Sequence, residues 1–457
     1  MREQYKHMLN FCANLTTILI DMAIFAYAWY GYYAKWVSKD GLRAAFHARG
    51  NWAVIAIYIL FIFFFTQVFG GYKIGYMRVT DIILSNILGL ILANVVAYLE
   101  LCLVCRDYVN PGALLCAALA EILFIIVWNL LVRAAYQAIY PPRQMLLIYG
   151  NYAPDDLIAK INTRRDKYNI CATMHYSTDT VELYNTLAKY KAVVLCDLPD
   201  EDRNQLMKYC YIKSIRVYVI PKISDIIFRG ADDIHLFDTP LLLSRNQGLT
   251  IDQRFFKRLM DIVVSLVGII VASPFMLLIA AAIKLYDGGP VIYKQERLTR
   301  DGKAFRILKF RSMSVGSEKK EQITAKNDSR VTPVGRLIRK IHFDELPQLF
   351  NILIGEMSLV GPRPEWRVTT DKYTDEIPEF RFRLKVKAGL TGYAQVWGKY
   401  NTTPLDKLKL DLTYIENYSI WLDIKIILLT VKVLFMKENT EGVDADQKSA
   451  LKNDKQS

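Results

Sequence analysis

The sequence predicts a membrane-embedded α plus α/β protein: a four-helix transmembrane bundle, a Rossmann-like α/β module, then a re-entrant membrane helix hairpin leading into a mainly helical C-terminal domain. Three observations predict this order. Four long apolar runs fill residues 1–140, short apolar runs alternate with polar stretches over 141–250, and a fifth apolar run at 251–285 carries Ser273-Pro274 near its centre. The remaining segments are 286–436, where the charged motifs gather, and 437–457, whose Lys, Asp, Asn and Gln content reads as a disordered tail.

The 457 residues leave room for several compact units, and 53% are hydrophobic, with 28 Tyr, 21 Phe and 7 Trp. Residues 51–72 carry no charged side chain; as a helix rising about 1.5 Å per residue they reach about 33 Å, enough for a hydrocarbon core. Residues 82–99 are likewise uncharged, and runs 14–34 and 114–132 each carry one acid, Asp21 and Glu121. Intramembrane acids mark ion pathways in some proteins, but these two, on distant segments, are expected to face the bundle interior beside Tyr, Asn or Trp. The converging polar groups that a transporter or flippase needs are not expected here.

Loop charges do not orient the bundle, because Lys35, Lys39, Arg43 and Arg49 in one loop oppose Arg2, Lys6, Lys73 and Arg78. An even number of spans still puts residues 1–10 and everything after 140 on one face. No short apolar core with a small-residue cleavage site precedes the first span, so no cleaved signal is expected. Cys102 and Cys105 lie in apolar "LCLVC", where packing is the expected role, and the seven cysteines suggest neither a disulfide ladder nor a zinc site.

In the second segment, "MLLIYG", "KAVVLCD" and "RVYVIP" read as strands between helices, the pattern of a small parallel α/β unit. Its first turn, "YGNYAPDD", lacks the GxGxxG that lets a backbone approach a pyrophosphate. A regulatory or structural module is therefore expected rather than a dinucleotide site or a membrane-tethered nucleotide-sugar-modifying enzyme.

Residues 262–283 are again uncharged, but Pro274 removes a helix hydrogen bond and crowds the preceding turn. The helix either kinks and crosses or bends back. Arg254, Lys257 and Arg258 before the run and Lys284 after it fit two ends anchored at one anionic interface.

The next stretch, "YKQERLTRDGKAFRILKFRSMS", sets Lys294, Arg297, Arg300, Lys303, Arg306, Lys309 and Arg311 against Glu296 and Asp301. Strand periodicity puts Arg306, Leu308 and Phe310 on one face and Ile307, Lys309 and Arg311 on the other, a row of cations suited to phosphate oxygens. No nucleic-acid partner is expected.

"VTPVGRLIRKIHFDELPQLFNILIGEMS" reads as two helices. Arg336, Arg339 and Lys340 form a basic ridge on the first. Pro347 is tolerated only in a first turn, so the second should begin close to Asp344, whose pKa is then expected below the usual value of about 4. Adjacent helical residues differ by about 100° in direction, so Asp344 and Glu345 can hold separate roles. An N-cap Asp with a solvent-facing Glu is the structural alternative. Against it stands "GEMSLVGPRPE", where Gly361, Pro362 and Pro364 stiffen a turn presenting Arg363, a bidentate phosphate donor. A carboxylate attacks phosphorus without first losing a proton when Mg²⁺ and cations neutralise the phosphates.

These motifs, with "GLTGYAQVWG" and "LDLTYIENYSIWLDIKIILLT", closely resemble those of the bacterial polyprenyl-phosphate phosphoglycosyl transferases, large monotopic type. The resemblance covers roughly residues 250–436. It implies a catalytic domain over 286–436 that moves hexose 1-phosphate from a UDP-sugar, glucose or galactose by family habit, to undecaprenyl phosphate, releasing UMP. It implies further that Asp344 is the nucleophile, with Mg²⁺ bound by Asp344 and Glu345, the latter positioning metal or acceptor. By the same mapping Lys309, Arg311, Arg339 and Arg363 hold phosphates, and Ser273-Pro274 break the re-entrant helix. The implied setting is the bacterial cytoplasmic (inner) membrane, catalytic domain facing the cytoplasm, at the start of exopolysaccharide, capsule or O-antigen synthesis; a homo-oligomer is compatible with it. One departure is His342, where many relatives carry small hydroxyl residues; a buried neutral side chain is the preferred reading over an extra ligand. The amphipathic stretch 419–435 is expected at the membrane surface.

Overall fold

The computed structural model describes residues 2–34, 48–105, 107–150, 154–244, 248–314, 330–398 and 402–434. The expected tail at 437–457 and the loop cations Lys35, Lys39 and Arg43 lie outside the described residues. The chain divides into two compact units, Met1–Lys222 and Ile223–Ser457.

The first unit begins with α1 (Arg2–Ala28), which runs on as a π-helical turn at Trp29–Tyr33, then α2 (Ala48–Phe69), α3 (Val79–Cys105) and α4 (Gly112–Ile139). Trp29, Tyr58, Leu90, Ala93 and Ile125 are buried between them, while Leu99, Leu103, Leu115, Leu119 and Leu123 face outward. Outward leucines in rows suit a lipid surround. Glu121 does face inward, accepting from Tyr58 Oη at 2.9 Å and Asn94 Nδ2 at 3.4 Å, and Asp21 is buried as well. Ser85, Asn86 and Asn129 are also buried, so the helices bring more polar groups together than the sequence led us to expect. The reason is local: helix periodicity places Asn94 and Tyr58 at the level of Glu121, where each satisfies it.

The parallel sheet follows in the order β2-β1-β3-β4, with β1 (Arg143–Tyr149) and β3 (Ala192–Cys196) central, β2 (Tyr168–His175) and β4 (Arg216–Val219) at the edges. Met145 to Ile148 are buried on both faces, the continuous apolar run of an interior parallel strand. Helices α5 (Asp155–Asn162), α6 (Thr180–Leu187) and α7 (Asp200–Ile212) connect the strands. Among the described residues no disulfide joins the cysteines.

The second unit opens with α8 (Ile223–Arg229) and an antiparallel hairpin, β5 (Asp232–Leu236) with β6 (Thr239–Leu243). The long helix α9 (Ile251–Asp287) starts at a Thr250/Gln253 capping box and ends at Gly288, whose φ of 70° is the left-handed C-cap conformation. Pro274 lies inside this helix and leaves the carbonyl of Ile270, four residues back, without its usual N–H; the Ser273 hydroxyl donates to that carbonyl at 2.8 Å. Among the described residues five helices, α9 included, are long and apolar enough to cross a membrane by length and composition.

Beyond α9, β7 (Ile292–Leu298) and β8 (Ala304–Phe310) form an antiparallel ribbon; α10 (Pro333–Lys340), α11 (Gln348–Ile354), β9 (Ser358–Val360), α12 (Arg367–Glu376), β10 (Gly389–Thr391), α13 (Tyr393–Trp397), α14 (Pro404–Glu416) and α15 (Ile420–Leu434) complete the unit. Its core gathers Ile352, Met357, Val360, Phe380, Leu408, Leu412 and Ile426. Each such side chain contributes about 1.5–3 kcal/mol on burial. One side of α9 docks on this core. Lys257 Nζ bonds Asp423 at 2.6 Å, Arg258 donates to the last-turn carbonyls of Ile352 and Leu353 at 2.6 and 2.7 Å, and Asp261 Oδ1 accepts from Leu359 N at 2.9 Å. At the far end Asp287 pairs with Arg311. The other side of α9 exposes Val267, Ile270, Val271, Leu277 and Leu278.

Candidate active site

Three chain segments converge on Glu345. The first is β8, fixed to α11 by Asn351, whose side chain accepts from Leu308 N at 3.0 Å and donates to the Arg306 carbonyl at 2.9 Å, as a neighbouring strand would. Phe305 and Ile307 are buried in the core and Arg306 is exposed, so the strand alternates as expected up to Lys309. Phe310 is buried too, packed with Ile283 and Ile338. Lys309 Nζ lies 2.7 Å from Glu345 Oε1.

The second segment carries the acids. Thr332 caps α10 by accepting from Gly335 N at 2.9 Å, and Gly335 is required there because a Cβ would stand 2.0 Å from the Ser312 carbonyl oxygen. After α10 the chain reverses through His342, at φ 58°, into a 3-10 turn over Phe343–Glu345. Phe343 anchors this turn against Phe275 of α9, ring centroids 6.2 Å apart.

The third segment is the stiff turn after β9. A Cβ at Gly361 would stand 2.3 Å from the Lys387 carbonyl oxygen, and Gly361 N instead donates to Thr391 O at 2.9 Å. Arg383 Nη2 donates to the Arg363 carbonyl at 2.9 Å and Arg297 Nη1 to the Pro364 carbonyl at 3.3 Å. Held so, Arg363 reaches Glu345 Oε1 at 3.1 Å while its side chain stays 45% exposed, open to an incoming anion.

The two acids are electrostatically unlike. Burial opposes ionisation of Glu345, but Arg363 and Lys309 outweigh it and hold its pKa down at about 2. Asp344 goes the other way: burial raises its pKa, Lys309 opposes, and the fixed charge of Glu345 raises it further. The sequence expectation of a depressed Asp344 is thus corrected. It assumed a helix N-terminus, whereas the helix N-cap is Pro347 and Asp344 sits in the preceding 3-10 turn, half-buried beside another anion. Among the described residues the Asp344 carboxylate forms no hydrogen bond or ion pair. The pair therefore combines a fixed anion with a freer, more basic carboxylate.

Of the other expected site residues, Arg339 is half-buried and its charge acts on Asp344, while Arg336 and Lys340 point outward. Arg311 is 4% exposed and tied to Asp287, and its Nη1 has no hydrogen-bond partner among the described residues. His342 Nδ1 and Gln348 Nε2 are buried and have no hydrogen-bond partner among the described residues. Sequence reasoning passed over Glu365, Arg383, Lys407 and Asp411: Lys407 pairs with Glu365, and Arg383 lies 2.8 Å from Asp411 and 3.7 Å from Glu365, together backing the Arg363 turn. Glu365 closes "GPRPE" and was legible there; Arg383 and Asp411 carry no local signal.

Residues 252–437, which hold all three segments, match the bacterial sugar transferase family. Over 305 residues the chain is 39% identical to a UDP-N-acetylgalactosamine-undecaprenyl-phosphate N-acetylgalactosaminephosphotransferase of Aeromonas hydrophila, covering 64% of this chain and 67% of the relative. The chain belongs to the bacterial sugar transferases, a family of phosphoglycosyl transferases. This sugar transferase is also 46% identical over 208 residues to a UDP-glucose:undecaprenyl-phosphate glucose-1-phosphate transferase of Klebsiella pneumoniae, covering 44% of this chain and 43% of the relative. It is 36% identical over 240 residues to an undecaprenyl-phosphate galactose phosphotransferase of Salmonella typhimurium, covering 49% and 50%. The sugar transferase thus spans about half the length of these last two relatives.

Proposed function

We propose that the protein transfers a hexose 1-phosphate from a UDP-sugar to undecaprenyl phosphate, releasing UMP, through a covalent intermediate on Asp344. The observation that carries this reading is an Asp344 carboxylate without a partner among the described residues, beside a Glu345 fixed by two cations. In the first step an Asp344 oxygen bonds the sugar-bearing phosphorus, the bond to the bridging oxygen breaks, and UMP leaves with that oxygen. In the second, an oxygen of the lipid phosphate attacks the same phosphorus and the Asp344 carboxylate leaves. A raised pKa makes Asp344 the more nucleophilic of the two acids, while Glu345 aims Lys309 and Arg363 at the phosphates.

Asp344 and the second oxygen of Glu345 would hold Mg²⁺. Two adjacent carboxylates, one without a partner among the described residues, suit an ion that takes one or two protein carboxylates and fills its shell with phosphate oxygens and water. Bound there, it would neutralise charge developing on the phosphates.

The reading places the four N-terminal helices across a bacterial inner membrane and α9 in it as a re-entrant element, its two ends and the catalytic unit on the cytoplasmic face. Supporting this, Lys257 near the start of α9 and Asp287 at its end bond the same folded body, which a straight crossing would separate. The outward apolar residues of α9, and Trp421, Val431 and Leu434 of α15, would then meet lipid. A nucleotide sugar in water and a lipid phosphate at the headgroups meet only at such an interface, which suits the first membrane step of exopolysaccharide, capsule or O-antigen synthesis.

The test is incubation of purified protein with Mg²⁺ and UDP-glucose, UDP-galactose or UDP-N-acetylgalactosamine labelled in the β-phosphate, without lipid. Labelled, hydroxylamine-sensitive protein that Asp344→Asn cannot form is expected, and the sugar giving it fastest is the donor. Full turnover without an adduct, with kinetics requiring both substrates together, overturns the covalent step.

A further inference from the structure

A cavity of about 700 Å³ lies within the first unit and takes no part in the site above. It sits where α1, α4 and the turn between α2 and α3 meet the leading edge of the parallel sheet, lined by Lys6 and Arg133 from the helices, by Tyr76 from the turn, and by Lys167, Lys189 and Lys191, which precede β2 and β3. Sheets of this kind take their ligands at the opposite, carboxyl edge of the strands. The module's fold alone therefore does not account for the cavity.

Its charge is one-sided. Among the described residues seven Lys and Arg side chains line it against one acid, Asp166, which is already held by Arg164 through contacts of 3.0 and 3.2 Å. Lys167 and Lys6 both lie on the Tyr76 ring, 4.3 and 5.8 Å from its centroid, so two ammonium groups crowd one aromatic side chain. Burial, with Arg164 and Lys6 nearby, pushes Lys167 down to about 8. A bound anion would relieve that repulsion.

The bundle side adds the aliphatic side chains Ile74, Val79, Ile82 and Val132, and the remaining wall mixes tyrosines such as Tyr136 and Tyr140 with the amides of Asn129 and Gln137. Cations from both the helices and the sheet, with aliphatic groups on the bundle side, match an amphiphile with a phosphate head. With the four long apolar helices across a bilayer, their ends at this cavity fall at the headgroup level, where basic pockets bind anionic heads. We propose that this cavity binds the phosphate headgroup of an anionic membrane lipid, its chains lying along the bundle.

Native mass spectrometry of the full-length protein in detergent, titrated with phosphatidylglycerol or phosphatidylcholine, tests this. Phosphatidylglycerol adducts are expected at concentrations where phosphatidylcholine gives none. The Lys189→Glu/Lys191→Glu variant, changed at two exposed positions, is expected to bind at least about tenfold more weakly with an unchanged melting temperature. Asp344→Asn is expected to bind phosphatidylglycerol like wild type, which separates this cavity from the transfer site. Equal binding of the two lipids, or charge reversal that changes affinity less than twofold, overturns the proposal. So does displacement of the lipid by millimolar inorganic phosphate, which would assign the site to free phosphate.

Discussion

Lys309 Nζ sits 2.7 Å from Glu345 Oε1, joining the basic ribbon to the second acid of the dyad. The pair is partly sheltered, with side-chain exposures of 19% and 15%, so the contact is less screened than an ordinary surface ion pair. Replacing Lys309 by Ala removes the strongest charge opposing burial at Asp344 and takes away one of the two ion-pair partners of Glu345. A loss of about 10²–10³ in kcat is expected, the usual scale for deleting one preorganised charge-stabilising group. UMP release under saturating substrate measures it; a loss below twofold removes Lys309 from the site.

The pH dependence carries a definite sign. Asp344 acts ionised, and its pKa is raised, first by burial and, against the opposing cations, by Glu345. As pH falls, activity should therefore decline at a pH above that of an ordinary aspartate. Lys309→Ala removes a lowering charge and shifts the acid limb upward; Glu345→Gln removes a raising charge and shifts it downward. Profiles of kcat/KM for the two variants decide the matter, and shifts in the same direction would contradict the electrostatic account.

The sequence made the acids and the ribbon readable because local rules place them: Lys309 by strand alternation, and Arg363 by a turn that Gly and Pro stiffen. What it did not carry was the environment of Asp344. Burial there depends on Phe343 packing against Phe275 of α9, a contact between residues far apart in sequence. The same limit hid Arg383, which supports Arg363 from twenty positions away. Arg311 shows the converse: its motif suggests a phosphate, yet its guanidinium meets Asp287, which lies beyond the ribbon at the end of α9. In the bundle, composition predicted long apolar helices but not that Tyr58 and Asn94 would meet at Glu121.

Arg383 and Asp411 are both nearly inaccessible, at 2% and 1%. Removing either partner strands a buried charge, so Arg383→Ala or Asp411→Ala should cost about 3–5 kcal/mol. Arg383→Ala also frees the Arg363 carbonyl and should raise the KM for the UDP-sugar at temperatures where the fold persists. Thermal unfolding in detergent, followed by kinetics on the surviving protein, separates the two effects.

Glu365 gives a stability effect with a different pH window. Burial opposes its charge, but Lys407 and Arg383 prevail and hold its pKa at about 2, against an ordinary 4.5. A depressed carboxyl stabilises the fold fully above its unfolded value and loses that contribution as pH falls toward its folded one. Wild-type stability should thus fall between about pH 4.5 and 2. Glu365→Gln should be less stable at neutral pH and flatter across that window, as read by denaturation at a series of pH values.

The last prediction concerns Pro274 and its neighbour. A straight helix over Ile251–Asp287 would be about 55 Å long, well beyond a hydrocarbon core of about 30 Å. Proline removes the N–H that would bond Ile270, and the Ser273 hydroxyl takes its place, so the helix tolerates a bend here without leaving that carbonyl bare. If the two ends share one membrane face, cysteines placed at exposed Ile251 and Leu285, in a protein cleared of its own cysteines, should both react with an impermeant maleimide from the cytoplasmic side. Restoring the N–H with Pro274→Ala should favour a straight crossing and move part of the Leu285 label to the opposite side, with activity falling in proportion. Label at Leu285 from the periplasmic side alone in the otherwise unaltered chain would mean that α9 crosses outright, and the proposed placement of the catalytic unit would have to be abandoned.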